Sequence, residues 1–386
     1  MKRTRFSRRS KLTPDVDELL RLAHGYALSA TRIEDAFWEA RLTDRVGRLL
    51  EDGDEEVFNA VLDRLYSDNG RAYDQLADVI ESCAESRTGD HDLLLFVAPV
   101  LAWSRYGIPS GPVSKEVLAN ARVQLQGHVF AKGVKVGLAD FVFSPDQLPQ
   151  GFCETAGLRE RLAKAALHGR DLAVDTAQLP ETQSFLSDTR FLIGLAAAPS
   201  RGALFRWQED DGNRDDAARQ WHAQGGEALR PLFPACAFDV LLPQPYHAGC
   251  RDADRQARPY SLRAACAFLG TALNVQAADL QAVVAPFHER RLEEFRIGFL
   301  RKGLPDVVHG VVWPLLDSED ETADVRGQIE ALLKELGVGE VLVLDQRFPL
   351  EWCDDCGAPL YPNPDGEPVH AEMPEEQAES APRHLH

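Results

Sequence analysis

The amino-acid sequence predicts a mixed α/β (α+β) protein in which an N-terminal helical bundle precedes two similar α/β units and a C-terminal turn of zinc-knuckle type. Three observations carry that reading. Apolar residues recur at helical spacing as far as Ser86, the run Leu93-Leu94-Leu95-Phe96-Val97 then has the pattern of a strand buried on both faces, and strand and helix patterns alternate as far as Leu344. With 386 residues, 44% of them apolar, the chain has material for two or three domains.

The bundle begins with Thr13 as N-cap, Pro14 at the first helical position and Asp15 and Asp17 in the first turn. Leu19, Leu20, Leu22 and Ala23 start the apolar stripe. Phe37, Trp38, Leu42, Val46, Leu49 and Leu50 continue it, then Val57, Val61, Leu62 and Leu65, then Tyr73, Leu76, Val79 and Ile80. Punctuation at Gly53 and Asn69-Gly70 makes about four helices. Beyond the strand at 93–97 the patterns predict a helix capped by Ser114, a strand over 134–143 and a helix over 158–168. Strands at 190–197 and 202–207, a helix over 215–232 and a strand over 235–242 follow. A helix over 261–275, strands at 280–287, 295–300 and 307–313, a helix over 321–336 and a strand at 341–344 complete the series.

This order repeats. Asp92–Pro112 and Asp239–Pro259 are equal in length, and in each a serine, Ser114 or Ser261, stands two residues after the proline as a candidate helix cap. Downstream, Phe191-Leu-Ile-Gly194 resembles Phe295-Arg-Ile-Gly298. A duplication would give two ferredoxin-like units related by an approximate two-fold. The expected division is a basic arm over 1–12, helices over 13–88, a first α/β unit over 89–235, a second over 236–362 and a disordered acidic tail over 363–386.

Charge and cysteine usage narrow the functional classes. The net charge is −19, and removing the six positive charges of Lys2, Arg3, Arg5, Arg8, Arg9 and Lys11 leaves the rest at −25. Such a body repels nucleic-acid phosphate, while the arm is a candidate RNA contact and, in the plainer reading, a solvated tail. No stretch reaches the roughly 18 apolar residues needed to cross a bilayer, and the N-terminus lacks a signal peptide's apolar region. The expected location is cytoplasmic. Seven cysteines, an odd number, then point to reduced thiols or metal ligands rather than bridges.

The sharpest motif is Trp352-Cys353-Asp-Asp-Cys356-Gly357. Two thiolates at this spacing can face one ion while glycine accepts the positive φ of the turn beneath them. A closed tetrahedral zinc site needs two more ligands, and His247 and Cys250, spaced His-x-x-Cys, are the preferred pair. Competing completions are His370, His384 or His386, or a second chain; free thiols or a redox pair are the metal-free alternatives. A second constellation lies in the segments 103–111 and 243–258, read as long loops between strands and helices. Arg105, Arg251 and Arg258, with the caps Ser114 and Ser261, would suit a small anionic ligand there, unless they serve only as surface ion pairs and caps.

Familiar catalytic patterns are broken. Gly107-Ile-Pro-Ser110-Gly111 is not a nucleophile elbow, His288-Glu289 lacks the second histidine of a zincin, and no phosphate-binding glycine loop occurs. No catalytic residue is assigned. The basic opening through Pro14, Ala98–Gly111, Arg258-Pro-Tyr-Ser-Leu-Arg263 and the Cys353 knuckle together resemble an uncharacterised bacterial protein family known as a domain of unknown function. The resemblance covers nearly the whole chain and implies a cytosolic bacterial protein without an assigned activity. Two functional expectations follow. The first is a non-catalytic protein that binds a ligand or protein partner and is held by structural zinc. The second is an enzyme acting on a small anion between 103–111 and 243–258, with His247 as acid or base.

Overall fold

A computed structural model describes residues 13–68, 70–182, 185–316, 319 and 322–374. The basic arm with its six cationic residues, and His384 and His386, lie outside the described residues. The bundle consists of α1 (Pro14–Ala27), α2 (Arg32–Asp52), α3 (Glu55–Asp68) and α4 (Gly70–Glu85). Thr13 caps α1, its hydroxyl accepting from the Val16 N–H at 3.3 Å, and Gly53 ends α2 in the left-handed region at φ +77°. The apolar stripes meet in one core of Leu19, Leu42, Val46, Phe58, Leu65, Leu76 and Ile80.

The first sheet contains β1 (Ser86–Arg87), β2 (His91–Trp103), β3 (Gly111–Pro112), β4 (Lys135–Phe143), β5 (Ser187–Pro199), β6 (Ala237–Val240) and β7 (Gln244–Pro245). Its order is β1-β2-β5-β4-β3, with β6 and β7 also paired to β2, and every pair is antiparallel. Strand β2 is buried on both faces, as its apolar run predicts. Phe96, Ala98 and Val100 face a core shared with α5 (Lys115–Gln124) and, in the chain that follows α7 (Arg214–Gln220), with Trp221 and with Leu229 of α8 (Gly226–Leu229), whereas Leu93, Leu95 and Val97 face α6 (Phe152–Leu167) and α9 (Tyr246–Leu273). The expected strand at 202–207 is instead a turn. There Phe205 stacks on Trp207 at 4.5 Å and on Phe130 at 5.7 Å.

The second sheet contains β8 (Leu280–His288), β9 (Leu292–Arg301), β10 (Val307–Pro314), β11 (Glu340–Val343) and β12 (Phe348–Pro349). The first three form an antiparallel meander, and β11, after α10 (Val325–Glu335), returns parallel to β8. One face packs on α9 and α10 through Val284, Ile297, Phe299, Leu269 and Ile329. The other carries Val283, Leu300 and Val307 beneath Tyr361. Tyr361 opens a small hairpin, β13 (Tyr361–Pro362) and β14 (Pro368–Val369). The expected disorder over 363–386 is therefore overturned as far as residue 374, the last described. Asn363 is buried, its carboxamide oxygen accepts from the Glu367 N–H at 2.8 Å, and Gly366 takes φ +82° in the turn.

Helix α9 is the main departure from the sequence reading. It has 28 residues, about 42 Å at helical rise, and starts at Tyr246 rather than Ser261, with Pro259 in its interior. Its first half lies on β2, where a Cβ on Gly249 would come within 2.4 Å of Val97, and its second half enters the core of the second sheet. Asp92–Pro112 is thus strand and loop where Asp239–Pro259 is a short strand and helix. Neither sheet follows the β-α-β-β-α-β order of a ferredoxin-like unit: helices separate the main strands of the first, and the second opens with a meander. Among the described residues, no helix is long and apolar enough to cross a membrane.

Candidate metal centre

Beyond β12 the chain crosses the outer face of the second sheet. A buried arginine fixes its path there. Arg296, on the central strand β9 and fully buried, donates to the carbonyls of Glu351 at 2.6 Å and Leu360 at 2.8 Å and pairs with Glu294 at 2.7 Å. Its guanidinium stacks on Phe287 at 4.3 Å and lies 5.5 Å from the Trp352 ring. These bonds pinch both ends of the segment 351–360 together. Inside the pinch, Cys353 donates its N–H to Ala358 O at 2.7 Å, and Gly357, at φ +72°, donates to Cys353 O at 2.8 Å. The tight turn anticipated from Cys-x-x-Cys-Gly is formed.

The hairpin that follows lies flat because Gly298 and Gly310 are cross-strand partners on β9 and β10. A Cβ on Gly298 would meet Pro362 O at 2.4 Å, and one on Gly310 would meet the Tyr361 ring at 2.2 Å. The hairpin delivers His370 to the knuckle, its Nε2 lying 3.3 Å from Cys356 Sγ. The ligating atoms of Cys353, Cys356 and His370 all lie within 4.8 Å of one another. Zn–S and Zn–N bonds at a tetrahedral angle would set sulfur and nitrogen about 3.5 Å apart, so two thiols and an imidazole at this spacing suit a borderline-soft cation.

The preferred partners from sequence, His247 and Cys250, stand elsewhere. Both lie in the first turns of α9, packed against α4 and α6, where the His247 ring contacts Phe152 at 5.8 Å. The Glu85 carboxylate at the end of α4 accepts the His247 N–H at 2.9 Å. Burial lowers the His247 ring to about 4 and, with Asp254 and Glu85 nearby, pushes the Cys250 thiol far up. A ligand must be a thiolate, and this environment disfavours that form. His370, one of the competing completions, supplies one of the two further ligands, and no fourth joins the group among the described residues.

The anion-binding constellation is not assembled either. The segment 243–258 is mostly helix, Arg251 grips Glu81 at 2.6 Å, and Arg258 is buried against Glu319 at 2.6 Å and Pro314 O at 3.2 Å. Ser261 lies mid-helix, donating to Ala257 O and contacting Ser187 at 2.9 Å. Ser114 does cap α5, accepting from Val117 N–H at 3.3 Å, and Arg105 lies 5.9 Å from the Phe268 ring. The loop 103–111 is held by Arg190 of β5, which donates to Ile108 O at 2.8 Å and Pro109 O at 2.9 Å. These are bonds of architecture. Sequence reasoning missed Glu372, whose Oε1 lies 3.4 Å from His370 Nδ1; its signal was the His-x-Glu spacing after a short strand.

No curated protein and no solved structure matches this chain at a significant level. A family model described as a protein of unknown function (DUF2863) matches residues 4–384. The match spans most of the arm, the bundle, both sheets and the Cys353, Cys356 and His370 group, and the chain belongs to this family of proteins of unknown function.

Proposed function

We propose that the chain is a non-catalytic binding protein in which a structural zinc ion, held by Cys353, Cys356 and His370, fastens the C-terminal segment across the outer face of the second sheet. The observation that carries this reading is the convergence of two thiols and an imidazole on a turn pinned from below by Arg296. Zinc bound there would stabilise the fold by joining residues 353, 356 and 370; the three ligands among the described residues leave a fourth position, beside the exposed Cys356, for water or a group outside those residues. The enzyme reading is weaker. Arg251 and Arg258 are committed to Glu81 and Glu319, so they do not converge on an open anion site. The ligand or partner is then to be sought on the protein surface, and the basic arm remains a candidate RNA contact.

Metal content measured by mass spectrometry on the purified, untagged chain tests the centre. About one zinc per chain is expected in the wild type and in His247→Ala, and none in Cys353→Ser/Cys356→Ser or His370→Ala. A metal-free wild type would sink the proposal, and loss of zinc in His247→Ala would transfer the site to α9.

A further inference from the structure

We infer that Glu372 is the positioning residue of this centre and that, through it, zinc occupancy locks the segment 361–372 onto the edge of the second sheet. The inference rests on the zinc reading above and adds to it a residue and a form of regulation. An imidazole that gives one nitrogen to a metal carries hydrogen on the other, and an acceptor for that hydrogen fixes the ring's tautomer and its rotation. His370 has a group beside each nitrogen that could serve these roles. Nε2 faces Cys356 Sγ at 3.3 Å, and Nδ1 lies 3.4 Å from Glu372 Oε1.

Glu372 has a second anchor that explains why its carboxylate stays in reach. Its backbone N–H donates to Val307 O at 2.9 Å, at the first residue of β10, the strand that ends the sheet. The chain is therefore tied in series. Sheet edge holds Glu372, Glu372 holds the ring of His370, and His370 holds the metal with the two cysteines. Pulling the metal away would free the ring and remove one tie on the segment, leaving the Glu372 backbone bond to Val307 and the packing of Val369, Ala371 and Met373 to hold it less tightly. The Glu372 side chain is 80% exposed, so solvent screens its charge and its main action is to orient the ring through a hydrogen bond. That distinction makes the role testable, because a glutamine keeps an oxygen acceptor and an alanine does not.

The experiment compares zinc affinity of the full chain, by competition with a chromophoric chelator, in wild type, Glu372→Ala and Glu372→Gln, with the melting temperature of each zinc-free protein alongside. Removing an outer-shell partner of a metal-bound histidine typically weakens binding about 10–100-fold, so that loss is expected in Glu372→Ala, with one zinc per chain retained and most of the affinity restored in Glu372→Gln. The zinc-free melting temperatures should coincide. Hydrogen exchange at the Glu372 amide should be slowed by zinc in the wild type more than in Glu372→Ala. Equal affinity in wild type and Glu372→Ala would overturn the positioning role and leave the centre intact. Loss of affinity matched by loss of zinc-free stability would overturn it too, as a mere packing effect. A wild type that takes up no zinc would bring down both the centre and this inference.

Discussion

The two ends of the described chain are fastened to their sheets by opposite chemistry. At the N-terminal end, the bundle attaches through carboxylates placed at helix N-termini: Glu55 accepts from Phe152 N–H at 3.1 Å and Cys153 N–H at 2.8 Å at the start of α6, and Glu85 does the same for His247 of α9. Both glutamates act as caps from outside the helices they serve. At the C-terminal end the fastening is a buried arginine, two glycines that let the hairpin lie flat, and a Cys2His cluster. The first junction is sensitive to protons. The second carries a group that could hold a metal ion.

The largest expected effect comes from the buried guanidinium. Arg296→Ala leaves Glu294 uncompensated and releases the carbonyls of Glu351 and Leu360, so a loss of about 3–5 kcal/mol in urea denaturation is expected, with zinc affinity falling too. If zinc binding survives at full strength, the knuckle is shaped without Arg296 and the contrast between the two junctions weakens.

The next effect is a pair of pH slopes at the bundle junction. Burial raises Glu85 from 4.5 to about 7, against the lowering effect of the His247 N–H, with Glu81 and Arg251 adding opposed contributions. Burial, aided by Arg251, lowers His247 from 6.5 to about 4. Between about pH 4.5 and 6.5 the folded junction therefore holds its proton on Glu85, whereas the unfolded chain holds it on His247. Proton counts match, so the two opposed pH slopes of stability cancel over that window. Single substitutions separate them. Glu85→Gln leaves the histidine, whose contribution is present above 6.5 and fades as pH falls toward 4. His247→Phe leaves the glutamate, whose contribution is present below 4.5 and fades as pH rises toward 7. Each slope, read relative to wild type from urea denaturation at a series of pH values, should approach at most about 1.4 kcal/mol per pH unit. Parallel pH profiles in all three proteins would refute the compensation.

The smallest effect sharpens the comparison. Glu55→Ala removes a cap from α6 and should cost about 1 kcal/mol, leaving zinc affinity unchanged. A change in zinc binding would mean that the two ends communicate.

The extent of the fold legible in the sequence follows from which interactions are local. Thr13, Pro14, Gly53 and Ser114 act within one turn of their own position, and the buried strands announce themselves by unbroken apolar runs at 93–97 and 282–287; both kinds of signal reappear in the structure. Helix α9 was misread for a physical reason. Pro259 and the charged, glycine-containing stretch before it read as a loop, yet packing on β2 and the Glu85 cap sustain a helix through both. The repeat of element order was real as a pattern and did not survive as topology, because strand direction is set by pairings between distant residues.

The metal centre divides in the same way. The sequence by itself determined that Cys353 and Cys356 face one point above a glycine turn, because that geometry is built within five residues. Only the tertiary structure decided that His370, and not His247 with Cys250, approaches them, since the choice depends on Gly298 and Gly310 opening a flat window for Tyr361 and Pro362 and on Val307 holding Glu372. Those contacts join residues far apart in the chain. No local spacing encodes them.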